Sequence, residues 1–449
     1  MTTTALYRDH LATLDRMLGD AMERAGHQGV ALDGVLFHAG RDQYYHADDQ
    51  PVPFWVGGHF RRWTPLYGPE HAVLARPGRR PLVVRVQPQD YWYDTSPAPT
   101  SYWGEAVDLA QVETFADLTS VTGALAHIAY VGNSHEAAAE VGIPDELIEP
   151  AALLAPLDWY RAVKTPWEVA LLEQAAERGA AGHLAGRKAW EAGASEREVF
   201  WAFLAGADQM LEELAFPSIV AMDGKAAILH YQHKRGPGET PGKLLLLDAG
   251  ANYCGYASDL TRTWLAPGEH PVMRALIEGL DAYERRLCEM VRPGLPYQEI
   301  HFAAHRFTAE LLCHLGILSV SPEEALELGL TSSFFPHGVG HHLGIQVHDV
   351  GGRQATPDGG TNPPPEGHPY LRNTRVLEPG HYVTIEPGIY FIPMLLEPLR
   401  AKPEGANVNW PLVEELAPYG GVRIEDNVLC TEDGSRDLTR PLLPGPRGE

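Results

Sequence analysis

The chain opens with apolar side chains at helical spacing. Leu11, Leu14, Leu18 and Met22 fall on one helical face, which predicts an amphipathic helix near the N-terminus. Short β-rich runs follow, each bounded by turn-forming residues. These runs lie around 34–37, 72–86 and 127–131. The mixture of helix and strand predicts an α/β N-terminal domain over residues 1–160.

Two helix starts mark a second domain. Thr165, Pro166 and Glu168 supply an N-cap, a first-turn proline and a capping-box acid. Ser195 and Glu198 repeat the capping box for the next helix. The second domain is therefore predicted to cover residues 165–449, and the whole chain to belong to the α/β (α+β) class.

Apolar runs in this second domain end at acidic residues. Residues 243–247 read as a buried strand that delivers Asp248, and YASDLTRTW reads as a returning strand that carries Asp259. The two carboxylates are thus predicted to face each other across a hairpin. In HYVTIEPGIYF, the β-branched alternation predicts a strand that presents Glu386 and ends at Pro387 and Gly388.

GGVRIEDN places Arg423 and Glu425 two residues apart, hence on one face of a strand. A buried guanidinium beside a carboxylate ligand would orient that carboxylate and hold down its pKa. His341 in FPHGVGHHLG adds an imidazole to Asp248, Asp259, Glu386 and Glu425. Oxygen ligands with one imidazole suit divalent ions such as Mn²⁺ and argue against a thiolate zinc site.

Charge supports one shared site for these carboxylates. Four ionised carboxylates gathered without cations would raise one another's pKa, whereas two divalent cations balance them. We therefore predict two divalent metal ions, Mn²⁺ foremost with Co²⁺ or Zn²⁺ as alternatives. The chemistry that such a pair supports is the attack of activated water on a polarised carbonyl.

Composition narrows the class of protein. The 449 residues, 44% of them hydrophobic, are enough for more than one domain. A net charge of -24 disfavours nucleic acid or an anionic membrane as partner, because both attract a basic face. The four cysteines show no paired spacing and no run is long enough to span a membrane. A cytoplasmic location is expected.

The order DAG…D, HGVGHHLG…HD, EPG and GVRIEDN resembles the pita-bread metallopeptidases, a family that includes methionine aminopeptidase, aminopeptidase P and prolidase. AILHY, FFPHGVGHHLGIQVHDVGG, YLRNTR and YGGVRIED are similar to bacterial prolidase, the Xaa-Pro dipeptidase. PFWVGGHFRRW and QPQDYW resemble the same subgroup and its relative organophosphorus acid anhydrolase. The resemblance implies a creatinase-like N-terminal α/β domain followed by a C-terminal pita-bread domain, and a homodimer.

The resemblance also implies roles for individual residues. The metal ligands would be Asp248, Asp259, His341, Glu386 and Glu425, with His341 chosen because it stands seven residues before His348. Glu386 would also move a proton to the leaving nitrogen, and His230 and His348 would act with it in catalysis. His337, Arg372 and Arg423 would contact substrate. His342 has no assigned role and is expected to be a packed or surface imidazole.

Two positions test how closely the chain follows the prolidases. Arg372 stands fourteen residues before Glu386, where prolidases carry the arginine that clamps the substrate carboxylate; Arg375 is a weaker candidate, and either arginine could instead be a solvated loop charge. Phe216 replaces a tyrosine that relatives carry fourteen residues before His230. A phenol can donate a hydrogen bond to a developing oxyanion, and Phe cannot.

Together these features predict a cytoplasmic dipeptidase that hydrolyses Xaa-Pro dipeptides, with organophosphate triesters as a side substrate. Proline lacks an amide hydrogen and fixes φ, so its peptide bond requires a dedicated pocket. Aminopeptidase P and an organophosphorus triester hydrolase share the metals and remain alternatives. A non-catalytic pita-bread binding module is a further alternative, against which the retained ligands argue.

Overall fold

The opening helix forms where the hydrophobic pattern predicts it. Helix α1 spans Thr3–His27 and buries Leu11, Leu14 and Leu18, whereas Met22 is half buried. The computed structural model describes residues 3–92, 102–238 and 242–446. The chain forms two units, one containing Met1–Ala170 with Gln354–Gly360 and the other Leu171–Arg353 with Thr361–Glu449.

In the first unit the predicted β-rich runs are strands. In chain order the elements are α1 (Thr3–His27), β1 (Gly34–His38), α2 (Gly58–Trp63), β2 (Ala72–Ala75), β3 (Leu82–Val86), β4 (Asp108–Val112), α3 (Thr119–Thr122), β5 (Ile128–Val131), α4 (His135–Glu140) and α5 (Ala151–Arg161). The sheet has the order β4-β3-β2-β1-β5. Its outer pairs β3/β4 and β1/β5 are parallel, and its inner pairs are antiparallel.

The remaining elements begin at the predicted helix starts. They are α6 (Pro166–Glu191), α7 (Glu196–Ala207), β6 (Ile219–Met222), β7 (Leu244–Ala249), β8 (Asn252–Tyr253), β9 (Tyr256–Ala257), β10 (Leu260–Leu265), α8 (Pro271–Met290), α9 (Tyr297–His314), α10 (Pro322–Glu327), β11 (Gln354–Thr356), β12 (Gly359–Thr361), β13 (Tyr382–Ile385), β14 (Gly388–Tyr390), α11 (Pro393–Arg400), α12 (Trp410–Leu416), β15 (Gly421–Arg423), β16 (Asp426–Cys430) and β17 (Ser435–Asp437). Both predicted capping boxes are present, at Thr165 with Glu168 and at Ser195 with Glu198.

The hairpin β11–β12 lies in the second half of the sequence, but most of it belongs to the first unit. Residues Gln354–Gly360 belong to the first unit, where the Gln354 amide donates to the Ala155 carbonyl at 2.8 Å. Arg24 on α1 pairs with Asp358 at 3.0 Å. The first unit is therefore assembled from two separate stretches of sequence.

Three antiparallel strands in the order β10-β7-β6 form a sheet that carries Asp248 on β7 and places Asp259 directly before β10. Every residue of β7 is buried, as its continuous apolar run predicts. Thr261 of β10 lies opposite Asp248 of β7, and Glu425 forms an isolated bridge with Thr261. Strand β16 of the sheet β13-β16-β17 begins at Asp426, directly after Glu425. The chain therefore passes from the bridge with β10 into this second sheet.

Arg262 stabilises the chain where it passes from one sheet to the other. Its side chain is fully buried and donates to Asp426 Oδ1 at 2.7 Å. It also donates to the backbone carbonyls of Thr261 at 3.0 Å, Glu425 at 2.8 Å and Leu443 at 2.7 Å. Asp426 is further paired with Arg440 at 2.6 Å. A buried charge of this kind is tolerated because its partners satisfy it.

Replacing Arg262 with Met is expected to lower the free energy of unfolding by about 3 to 5 kcal/mol, because Asp426 loses a buried charged partner and four backbone carbonyls each lose a donor. Arg436→Met is the control, since Arg436 pairs with Glu173 on the surface at 2.8 Å. That change is expected to cost less than about 1 kcal/mol. Urea denaturation measures both, and equal small losses would contradict the role of Arg262.

Candidate metal centre

The structure brings the five predicted ligands to one region of the second unit. Asp259, His341 and Glu425 are buried and offer ligand atoms within 4.8 Å of one another. Glu386 adjoins them, because His341 Nε2 lies 3.5 Å from both Asp259 Oδ2 and Glu386 Oε1. Asp248 stands on β7 opposite Thr261, whose hydroxyl donates to Glu425 at 2.6 Å.

Two glycines allow the backbones around the acids to approach closely. A side chain at Gly250 would place its Cβ 1.9 Å from the Ser258 carbonyl oxygen, so the turn between Asp248 and Asp259 requires glycine. Gly340 has φ of 152°, and a Cβ there would lie 2.1 Å from the Thr384 carbonyl oxygen. The glycine lets the GVGHH segment lie against β13, where Thr384 N donates to the His341 carbonyl at 2.9 Å.

Hydrogen bonds prepare His341 as a ligand. Its Nδ1 lies 2.9 Å from the His342 carbonyl oxygen, which can only accept, so Nδ1 carries the proton. The lone pair of the neutral ring is then on Nε2, the nitrogen that faces Asp259 and Glu386. The backbone N–H of His341 donates to Thr384 Oγ1 at 3.0 Å, which fixes the segment on β13.

Asn427 is a residue that sequence reasoning missed. Its side-chain oxygen accepts from the Asp259 backbone N–H at 3.0 Å, and its amide donates to the Asp259 carbonyl. The same side chain thus holds both backbone polar groups of one ligand residue. The signal in the sequence was its place in the IEDN motif, two residues after Glu425.

The protein alone does not neutralise the carboxylates. Burial, with the nearby Asp259 adding to it, raises the pKa of Asp248 to about 6, although Arg423 opposes the rise. Burial, partly opposed by His341, raises the pKa of Glu386 to about 7, and burial with Asp259 raises that of Glu425 well above its usual value. Burial lowers the pKa of His341, but Asp259 and Glu386 outweigh burial and raise it.

Asp248 Oδ1 gives a second sign that a cation belongs here. This oxygen is buried and has no hydrogen-bond partner among the described residues. A buried carboxylate oxygen without a donor is costly unless a cation contacts it. The donor set and this oxygen therefore fit divalent ions held by Asp248, Asp259, His341, Glu386 and Glu425.

Arg423 and Tyr390 form a chain of hydrogen bonds behind Asp248. The Arg423 guanidinium contacts Asp248, Tyr390 Oη at 2.8 Å and Thr261 Oγ1 at 3.3 Å. Tyr390 in turn lies 2.9 Å from His337 Nε2, and His337 Nδ1 lies 2.8 Å from the Gly338 carbonyl. Tyr390 therefore donates to a neutral His337, whose pKa burial and Arg423 lower to about 3.

These contacts bear on the substrate-binding roles predicted for Arg423 and His337. Protein groups engage every nitrogen of the Arg423 guanidinium and both ring nitrogens of His337. Both side chains are thereby held in place, and their contact with substrate stays a prediction. Tyr390 was missed in the sequence, although EPGIY places it two residues beyond Gly388 on β14.

His348, His230 and Arg372 are the exposed members of the predicted site. The His348 ring stands edge-on to His341 with 4.5 Å between centroids. Partial burial, followed by the charges of His341, Arg372 and His230, lowers the pKa of His348 to about 3. The side chains of His341, Arg372 and His230 therefore lie near that of His348. His230 lies in a turn after the 3₁₀ segment Asp223–Ala227.

Three further side chains have clear surroundings. Arg375 is buried and pairs with Glu378 at 2.9 Å, so it is not a solvated loop charge. His342 is buried with its ring 4.8 Å from that of His381. Phe216 is half buried. A Cβ added at Gly250 would lie 2.7 Å from the Phe216 ring, so Phe216 adjoins the turn between Asp248 and Asp259.

A family model described as metallopeptidase family M24 matches residues 170–432. The chain belongs to metallopeptidase family M24. A model described as the N-terminal domain of Xaa-Pro dipeptidase matches residues 5–159. This M24 member is an enzyme of the metallopeptidase class, and the expected α/β fold, with an N-terminal domain before a pita-bread domain, is confirmed.

Relatives of this M24 metallopeptidase match over its whole length. It is 40% identical to an Xaa-Pro dipeptidase of Stenotrophomonas maltophilia over 99% of this chain and 98% of the relative. It is 41% identical to one of Xanthomonas campestris over 99% of both chains. Among solved structures, an aminopeptidase of Pseudomonas aeruginosa has a TM-score of 0.70 at 24% identity, covering 95% of this chain and 96% of the other. At that identity the likeness concerns the fold.

Removing the metals of this M24 member by chelation is expected to abolish peptide hydrolysis and to lower the melting temperature by on the order of 5 °C, because the carboxylates then repel one another. Adding Mn²⁺ should restore both properties. Full activity in a preparation shown to be metal-free by elemental analysis would exclude the metal mechanism.

His341→Ala is expected to reduce bound metal per chain, because His341 Nε2 points at Asp259 and Glu386. His342→Ala is the matched control, since the neighbouring ring packs against His381 instead. Elemental analysis of both variants after dialysis against Mn²⁺ compares them. Equal metal loss in the two would show that the histidine motif is read in the wrong register.

Proposed function

We propose that this M24 metallopeptidase is a cytoplasmic, homodimeric dipeptidase that hydrolyses Xaa-Pro dipeptides with two divalent ions, Mn²⁺ foremost. The observation that carries the proposal is the buried carboxylate cluster beside the exposed Arg372, His230 and His348. Relatives named Xaa-Pro dipeptidase match the chain from end to end. None of the four cysteines forms a disulfide in the part of the chain that the structure describes, which accords with a reducing compartment.

Glu386 is the residue we assign to proton transfer. When bound, two divalent ions supply an activated water and polarise the scissile carbonyl. The leaving proline nitrogen needs a proton, and a carboxylate near both positions can carry it. The Glu386 side chain is 18% exposed, compared with 9% for Asp259 and 11% for Asp248. It is therefore the most accessible of these three carboxylates.

Arg372 is the residue we assign to the substrate carboxylate. Two other candidate arginines already have protein partners. Arg423 contacts Asp248 and Tyr390, and Arg375 is paired with Glu378. Arg372 is exposed, near enough to lower the pKa of His348, and makes no ion pair with any described residue. A guanidinium binds a carboxylate through two parallel hydrogen bonds, and such a clamp favours dipeptides over longer peptides.

His348 and His230 are proposed to hold the reacting group of the substrate. Both are solvent-exposed, and His348 stands beside the buried His341, so they can reach a ligand bound next to the carboxylate cluster. A neutral His348 offers one donor and one acceptor to the peptide. The same centre is proposed to hydrolyse small organophosphate triesters slowly, since metals that polarise a carbonyl also polarise a phosphoryl oxygen.

The assay that tests this function compares Ala-Pro with Ala-Pro-Ala on the Mn²⁺-loaded protein. We expect the dipeptide to be cleaved and the tripeptide to react at least about tenfold more slowly, equivalent to roughly 1.4 kcal/mol. Preferential cleavage of the tripeptide would favour an aminopeptidase P activity. Failure to cleave either peptide with both metals bound would exclude the proposed activity.

Arg372→Ala is expected to lose about 2 to 4 kcal/mol in kcat/KM on dipeptides, the range for a severed charged pair. Ala-Pro amide should react poorly with the parent enzyme and lose little more in the variant. Arg292→Ala, another exposed arginine of the same unit, is the control and should leave both rates unchanged. An unaltered dipeptide rate in Arg372→Ala would remove Arg372 from the site.

Phe216→Tyr is expected to raise kcat on Xaa-Pro dipeptides by up to about tenfold, equivalent to roughly 1.4 kcal/mol, with KM little changed. The reason is that a hydroxyl beside Gly250 could support developing charge near Asp248. Steady-state kinetics at matched metal content compare the two proteins. A folded, metal-loaded variant with unchanged or lower kcat would mean that this hydroxyl is dispensable here.

A further inference from the structure

Helix α9 carries two histidines on one face, outside the carboxylate cluster. His301 and His305 are four residues apart and both are buried, a spacing that stacks side chains one turn apart. His368, from the loop that follows β12, meets them and is half buried. The three ring centroids lie 4.7 to 4.8 Å apart. One nitrogen from each ring lies within 4.8 Å of the others.

The hydrogen bonds of these imidazoles leave nitrogen atoms to spare. His305 Nδ1 lies 3.0 Å from Thr331 Oγ1, and with this nitrogen protonated the lone pair of Nε2 is available. His301 Nε2 and His368 Nδ1 are 2.9 Å apart and share one proton. His301 Nδ1 is buried and has no hydrogen-bond partner within the described ranges.

The residues around His301, His305 and His368 favour the neutral form of these imidazoles. Phe335 lies 4.9 Å from the His305 ring and 5.8 Å from the His301 ring, and Phe302 lies 5.6 Å from the His368 ring. Burial, followed by the neighbouring histidines, lowers the pKa of His301 to about 2 and that of His305 to about 3. A neutral imidazole is the form that binds a metal ion.

We propose that His301, His305 and His368 form a separate site that binds one divalent ion of the Zn²⁺ type. Three imidazoles without a carboxylate or thiolate match the borderline ions that prefer nitrogen, with water as the fourth ligand. This donor set differs from the oxygen-rich carboxylate cluster and shares no residue with it. The cation takes the place of the hydrogen bond between His301 Nε2 and His368 Nδ1, and the proton of that bond moves to the second nitrogen of the same ring, so that both rings stay neutral.

Metal binding requires the three ligand nitrogens to reach tetrahedral spacing. For Zn–N bonds of about 2.0–2.1 Å in a tetrahedron, the nitrogens lie about 3.3 Å apart. The 2.9 Å contact between His301 and His368 therefore opens slightly as the third nitrogen moves inward. His368 is half buried and so offers both an entry path and a side chain that can move. Binding would tie the loop before Arg372 to α9.

The test starts from protein whose carboxylate cluster is filled with Mn²⁺ and freed of excess metal. Titration with Zn²⁺ alone, followed by elemental analysis of both metals, is expected to give one added zinc per chain with the manganese retained. Co²⁺ in its place should give the intense visible absorption of a tetrahedral site. Absence of an added equivalent in the parent protein, or zinc gained only as manganese is lost, would overturn the proposal.

Variants locate the added ion. His301→Ala and His368→Ala are each expected to weaken zinc binding by at least about tenfold, while the manganese content and the far-UV circular dichroism stay unchanged. His314→Ala is the matched control, because His314 ends the same helix and is exposed. Since His368 lies in a loop, its variant keeps the test valid if the helix variant misfolds. An added zinc that persists in the folded His368 variant would place the ion elsewhere.

Discussion

The gathering of four carboxylates in a nearly dry interior is the constraint on which the second unit depends. Asp248, Asp259 and Glu425 are buried, and Glu386 adjoins them. Their mutual repulsion and the loss of hydration would open the structure unless fixed cations and oriented donors oppose them. Among the described residues, the Arg423 guanidinium contacts Asp248 of this cluster, and bound divalent ions would supply further positive charge.

The backbone around the cluster is arranged to resist that repulsion. Arg262 and Arg440 hold Asp426, the residue after Glu425, and Asn427 grips the backbone of Asp259. Glycine at 250 and 340 permits backbone approaches that no other residue allows. The protein itself thereby fixes the positions of the proposed ligands, which is the arrangement that precise catalytic geometry requires.

Much of this could be predicted from the sequence, because local patterns carry the information. A continuous apolar run located β7, period-3.6 spacing located α1, and capping boxes located α6 and α7. What could not be predicted depends on contacts distant in sequence. Tyr390 and Asn427 matter through partners 33 and 168 residues away.

The hairpin Gln354–Gly360 has a consequence for how the protein can be divided. Because the chain leaves the second unit at Arg353 and returns to it at Thr361, no single cut separates the two units. A fragment that begins at the cap of α6 would carry Gln354 and Asp358 without Ala155 and Arg24, the residues they bind. Gene fusions, truncations and circular permutations must therefore treat the two halves as interlocked in sequence.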